Sequence, residues 1–168
     1  SLCFKYGIHA SGCITKRDHH THGRPYTGAG KRRDRFLCGT SAGSGAADLI
    51  TVRGKKFLEE ADVIIYAGSL VNPELLNYAK EACKIYDSAK MTLEEVLDVM
   101  RQAEKDGQTT VRLHTGDPCI YGAIREQMDV LDAENISYDY CPGVSSFCGA
   151  ASALNMEYTL PGVSQSVI

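Results

Sequence analysis

From Ala42 onward, short β-branched apolar runs alternate with stretches of helical spacing, and this alternation limits the fold more than any other feature of the sequence. Asp62-Val63-Ile64-Ile65-Tyr66 is a continuous apolar run suited to a strand covered on both faces. Lys84–Asp87, Thr109–Leu113 and Tyr138–Tyr140 read as further strands, and a short strand precedes the turn Ala42-Gly43-Ser44-Gly45. Between them lie helix signals. Leu49–Ala61 carries Phe57 and Leu58 on one face, and Asn72-Pro73 opens the next helix with an N-cap and a first-turn proline. Thr92-Leu93-Glu94-Glu95 is a capping box followed by Val96, Leu97 and Met100 at helical spacing, stopped at Asp106-Gly107. Helices are also expected over Tyr121–Ala133 and Val144–Leu154. Such an order predicts an α/β fold, a mainly parallel sheet flanked by helices.

In parallel sheets ligands gather beyond the carboxyl ends of the strands. The loops at 42–45, 67–72, 115–122 and 142–146 should therefore share one rim. Gly43-Ser44-Gly45 lacks the third glycine of a dinucleotide-binding turn, which leaves it a tight strand-to-helix turn on local grounds. Thr115-Gly116-Asp117-Pro118 is open to two readings. It is either an ordinary turn in which Asp117 caps the next helix, or a ligand loop in which Gly116 lets a ligand approach the backbone and Asp117 accepts hydrogen bonds from it. Ser145 or Ser146 either caps the last helix or presents its hydroxyl and N–H groups to a ligand. Outside the first 22 residues the sole histidine is His114. It forms no Ser-His-acid set and is expected to pack near the rim rather than act as a base.

Residues 1–40 have a different composition. They hold eight Lys/Arg against two Asp/Glu, while the rest of the chain holds ten against nineteen. Four of the five histidines fall there, and Gly23, Pro25, Gly28 and Gly30 break any period. We read 1–40 as a basic, His-rich, irregular arm, disordered or foreign to the domain and dispensable for its folding. Lys31-Arg32-Arg33 raises nucleic acid as a partner, but such runs are usually solvated. Cys13 with His19, His20 and His22 lacks a second paired ligand element for a metal. No nucleic-acid partner and no metal are expected. The seven cysteines form no C-x-x-C pair, and their odd number argues for reduced thiols. No apolar run approaches the roughly 20 residues of a membrane span, and no signal sequence is evident, so a cytoplasmic setting is expected.

Taken together, four runs resemble the tetrapyrrole (class III) S-adenosylmethionine (SAM)-dependent methyltransferases. They are Ala42–Thr51, Tyr66–Val71, Leu113–Gln127 and Pro142–Phe147, and Leu160-Pro161 with Ser164-Gln165 also fits. Within the family the resemblance is to the members acting at carbon 11 of precorrin-4 or cobalt-precorrin-4. It implies that 41–160 is the family's N-terminal α/β domain and that 161–168 begins the passage to a second one that completes the SAM site. It also implies cofactor contacts at Thr115, Gly116, Asp117, Ile120, Ser145 and Ser146. A tetrapyrrole substrate would lie against Gly43, Ser44, Gly45, Ser69 and Tyr121, in an enzyme that is a homodimer at full length. A methyl on a sulfonium is already activated, so the implied catalysis is mainly proximity and alignment, and no catalytic base is assigned. Thr40-Ser41 departs from the Val-Gly usual in the family. The competing readings are a sibling methylase acting at another carbon, a diphthine synthase-like enzyme, and a non-catalytic binding module.

Overall fold

The computed structural model describes residues 37–167. Five strands form one sheet: β1 (Leu37–Ser41), β2 (Val63–Tyr66), β3 (Lys84–Asp87), β4 (Thr110–His114) and β5 (Tyr138–Cys141). Their order is β3-β2-β4-β1-β5, and every pairing is parallel. All five carboxyl ends therefore lie at one edge. Four α-helices accompany them: α1 (Val52–Glu60), α2 (Leu93–Asp106), α3 (Ile124–Ala133) and α4 (Ser146–Ala153).

Two cores sandwich the sheet. On one face Ile64, Val111, Leu113 and Cys141 pack with Leu58 of α1 and with Leu75. On the other, Val63 and Ile65 pack with Val96, Leu97, Met100 and Ala103 of α2 and Leu131 of α3. The alternation along β2 and β4 sends successive side chains to opposite cores, as the pleat requires. All five residues of β4 are buried, as expected of the middle strand of a doubly covered sheet.

The expected elements are present with several changes. The capping box forms as read, Thr92 accepting from the Glu95 amide while the Glu95 carboxylate takes the Thr92 N–H at 2.7 Å. Gly107 ends α2 at φ 71. The helix expected from Leu49 starts only at Val52, because Thr51 takes the cap position and accepts from the Gly54 amide. Ala47–Leu49 is instead a 3-10 turn. Phe57 is half-buried against the first core, which Leu58 enters fully. Asn72-Pro73 does open a helical segment, with the Asn72 side chain accepting from the Glu74 amide, but Pro73–Tyr78 is 3-10 rather than α. The helix expected from Tyr121 begins at Ile124, since Tyr121 and Ala123 hold positive φ angles of 57° and 48°. Ser145 takes the cap position of α4, so that helix starts at Ser146 rather than Val144.

A larger correction concerns the arm. Residues 37–40, placed with it by composition, form most of β1, which lies between β4 and β5. The sheet therefore includes them. Cys13, His19, His20, His22 and the Lys31–Arg33 run lie outside the described residues.

Candidate functional site at the carboxyl rim

The strand ends bring the four loops together through specific contacts. Gly43 and Gly116 form an isolated bridge, the Gly116 amide donating to the Gly43 carbonyl at 2.9 Å. The hydroxyl of Ser41 donates to the Gly116 carbonyl and accepts from the Gly43 amide at 2.9 Å. Asn72 donates its side-chain amide to the Gly45 carbonyl at 2.9 Å, which attaches the 67–72 loop to the glycine turn. Asp117 attaches the 115–122 loop to the 142–146 loop by accepting from the Gly143 amide at 3.1 Å. One rim results, as the sequence predicts.

Asp117 does not cap the next helix, whose N-cap position is held by Ala123 without a side-chain cap. Its Oδ1 accepts from the Cys119 amide at 2.8 Å, a local turn contact, and also from the Tyr140 hydroxyl. Both carboxylate oxygens thus have protein donors. Burial pushes its pKa up, but the hydrogen bonds from Tyr140, Cys119 and Gly143 outweigh that and hold it below the usual carboxylate range. Burial, with the Asp117 contact next, pushes the Tyr140 hydroxyl well up, so it keeps its proton.

Gly116 has φ 59°, a left-handed conformation that favours glycine, and a Cβ there would stand 3.4 Å from the Ser146 amide nitrogen. The loop therefore passes directly over the N-terminus of α4. Ser145 is buried yet makes no side-chain cap, which leaves the first-turn N–H groups of α4 without that usual partner. Ile120 is 46% exposed and Tyr121 fully so, an apolar shelf beside the loop. Thr115 and Ser44 are half-buried, and Gly45 is exposed. Ser44 packs on α4, where a Cβ on Gly149 would lie 2.1 Å from its hydroxyl oxygen. Ser69 lies in the 3-10 turn Gly68–Leu70 of the same rim.

His114 is 4% exposed, and its Nε2 has no hydrogen-bond partner. Burial, helped by the nearby Arg112 charge, lowers its pKa to about 3, so at neutral pH it is uncharged and packed, as expected. Arg112 is also buried and donates to the Ile65 carbonyl at 3.1 Å and the Ser88 hydroxyl at 3.0 Å. Burial alone lowers its pKa to about 10, and it stays charged at neutral pH. Among the described residues no cluster of His, Cys, Asp or Glu could hold a metal, and no helix is long and apolar enough to cross a membrane. Cys83, Cys119, Cys141 and Cys148 are free thiols.

The site contacts of Tyr140, Ser41 and Gly143 are not legible in the sequence. Each acts by reaching a residue distant along the chain, and no local pattern marks that. The nearest available signal was glycine in Pro142-Gly143, which marks a close backbone approach.

The family model for Tetrapyrrole (Corrin/Porphyrin) Methylases matches residues 37–168, from the first residue of β1 through all four rim loops. The chain belongs to this family. Among tetrapyrrole methylases it is 58% identical over 127 residues to the cobalt-precorrin-4 C(11)-methyltransferase of Methanocaldococcus jannaschii, a match spanning 76% of this chain and 49% of the relative. It is 46% identical over 126 residues to the precorrin-4 C(11)-methyltransferase of Mycobacterium tuberculosis, covering 75% and 50% respectively. The X-ray structure of the cobalt precorrin-4 methyltransferase CbiF superposes with a TM-score of 0.77 at 44% identity, over 79% of this chain and 55% of that one. The chain thus spans about half the length of the curated relatives it matches. The family match begins at Leu37, in agreement with the place of β1 inside the sheet.

Proposed function

We propose that this chain is the N-terminal half of a SAM-dependent methyltransferase acting at carbon 11 of precorrin-4 or its cobalt form. The observation that carries the reading is the 58% identity to the Methanocaldococcus relative over 127 residues. A sibling activity is less well supported, since the uroporphyrinogen-III C-methyltransferase of Bacillus subtilis is 37% identical over 111 residues. The tied rim also favours an enzyme over a module in which a basic arm does the binding.

The residues present fit the cofactor. Gly116, in a left-handed conformation, brings the loop backbone to the first amide of α4, and the uncapped α4 N-terminus suits a carboxylate. Ile120 offers an apolar surface to a purine or a methylene chain. In this reading Thr115, Gly116, Asp117, Ile120, Ser145 and Ser146 hold the cofactor, and the protein hydrogen bonds of Asp117 also keep the loop in register. Bound there, SAM supplies a sulfonium-activated methyl for a nucleophilic ring carbon. The rim then contributes alignment and exclusion of water rather than acid–base chemistry. His114, neutral and buried, is not needed as a base. Gly43, Ser44, Gly45, Ser69 and Tyr121 border the space assigned to the tetrapyrrole.

We further place residues 161–168 at the start of a passage to a second domain that completes the pocket, in a cytoplasmic enzyme that is a homodimer at full length. The free thiols are consistent with a reducing compartment. The test is titration calorimetry with S-adenosylhomocysteine on the chain joined to the C-terminal half of the Methanocaldococcus relative. Saturable binding that Asp117→Ala weakens is the expected outcome. No binding by the joined protein would sink the methyltransferase reading.

A further inference from the structure

Gly39 of β1 stands in register with Arg112 of β4 on one side and Tyr140 of β5 on the other. The three therefore share one face of the sheet, and Gly39 places no side chain between its neighbours. The Tyr140 ring uses that gap. Its Cδ2 lies 3.9 Å from where a Cβ on Gly39 would be, and its hydroxyl reaches across β1 to the loop that follows β4. There it donates to Asp117 and accepts from the Cys119 amide at 3.1 Å. One tyrosine from an edge strand thus meets two groups of a loop two strands away. Asp117 in turn holds the Gly143 amide, which closes a circuit from β5 through the 115–122 loop back to the residues just after β5.

We propose that Tyr140 is a positioning residue of the rim: lying over Gly39, it fixes Asp117 and thereby the shape of the 115–122 loop that meets the cofactor. The proposal rests on the cofactor reading above, but its mechanics do not require ligand. In this role Tyr140 acts through Asp117 rather than through a contact of its own with the ligand. Gly39 is the condition for its reach. A methyl at 39 would sit at ordinary contact distance from the ring, whereas a branched side chain would occupy the ring's place.

Three variants separate this role from a general structural one. Tyr140→Phe keeps the ring and removes the hydroxyl. Gly39→Ala should leave the ring where it is, and Gly39→Val should displace it with its hydroxyl intact. In the ligand-free 168-residue chain, amide exchange at Cys119 and Gly143 is read by NMR, with the pH titration of the Asp117 carboxyl carbon. The titratable groups facing that carboxyl are Tyr140 from β5 and Cys119 from its own loop. Tyr140→Phe and Gly39→Val should each speed exchange at both amides by at least about tenfold, the size of one lost hydrogen bond to a charged group. Both should also move the Asp117 midpoint up toward the ordinary carboxylate range, and Gly39→Ala should change neither. In the joined protein, S-adenosylhomocysteine affinity should fall with the first two variants only.

Unchanged exchange and an unmoved Asp117 midpoint in Tyr140→Phe would overturn the proposal. So would equal effects of Gly39→Ala and Gly39→Val, because the ring would then not be what position 39 controls. Absence of S-adenosylhomocysteine binding in the unmodified joined protein would instead overturn the cofactor reading, and the exchange data would still decide the role of Tyr140.

Discussion

Ser41 and Gly143 are packed so closely that neither tolerates a larger neighbour, and replacing Gly143 with alanine measures how tightly. A Cβ at 143 would stand 1.8 Å from the Ser41 hydroxyl oxygen and 1.9 Å from its Cβ. Ser41 cannot turn aside cheaply. It is 2% exposed, and its hydroxyl is held by the Gly116 carbonyl and the Gly43 amide. Overpacking a rigid site costs about 1–3 kcal/mol, and each buried hydrogen bond forced open adds about 1 kcal/mol. Gly143→Ala should therefore cost about 3–4 kcal/mol, a large part of the roughly 5–15 kcal/mol that stabilises a domain. Ser41→Gly removes the obstruction but also both hydrogen bonds, and it adds glycine's backbone freedom, for about 2–3 kcal/mol. With the Ser41 side chain gone, the methyl introduced by Gly143→Ala occupies vacated space. The double variant should then be no worse than Ser41→Gly alone, leaving a coupling of about 3 kcal/mol between the sites. Urea unfolding of the four proteins reads this directly. Single costs that add to within about 0.5 kcal/mol would refute the argument, since sites that do not touch behave that way.

His114 makes stability depend on mildly acid pH. Its folded pKa of about 3 lies below the unfolded value of 6.5, so below pH 6.5 the unfolded chain takes up a proton that the folded chain refuses. Its contribution is complete above pH 6.5 and should fall by about 2 kcal/mol on going to pH 5, by linkage. Urea midpoints of the parent and His114→Phe across that range check this, and parallel curves would refute it. Gly107 ends α2 in the left-handed region, so Gly107→Ala should cost about 1 kcal/mol in the same assay. A neutral effect would show that the cap relaxes without strain.

The sequence shows most of this fold where local pattern and tertiary role coincide. Val63–Tyr66 is apolar and β-branched because both its faces are covered, and Thr92 with Glu95 satisfies its own helix end regardless of context. β1 is the opposite case. Leu37-Cys38-Gly39-Thr40-Ser41 carries weak strand propensity and two polar residues, yet Thr40 and Ser41 are 0% and 2% exposed. The turn at Ala42–Gly45 implies a short strand before it, but the extent of that strand back to Leu37 comes from the ladders of β4 and β5 on either side, a non-local cause. Pro73–Tyr78 has a sound helix start, but capping logic does not distinguish 3-10 from α. In the site, Thr115–Asp117 was legible because glycine and proline at a strand's end mark a loop. The partners of Asp117 were not, because Tyr140 looks like any strand aromatic until the sheet places it across Gly39.

The position of β1 also bears on how the chain is made. Leu37 leaves the ribosome well before its two partners, Thr110 and Tyr138, exist. At ordinary synthesis rates the wait for β5 is on the order of ten seconds, far longer than a hairpin needs to form. A strongly apolar first strand would spend that interval as an unpaired adhesive edge. With glycine, threonine and serine in three of its five places, β1 is poorly suited to self-association until β4 arrives beside it. The composition that gives this strand little propensity of its own also limits its tendency to pair with another chain before its partners exist.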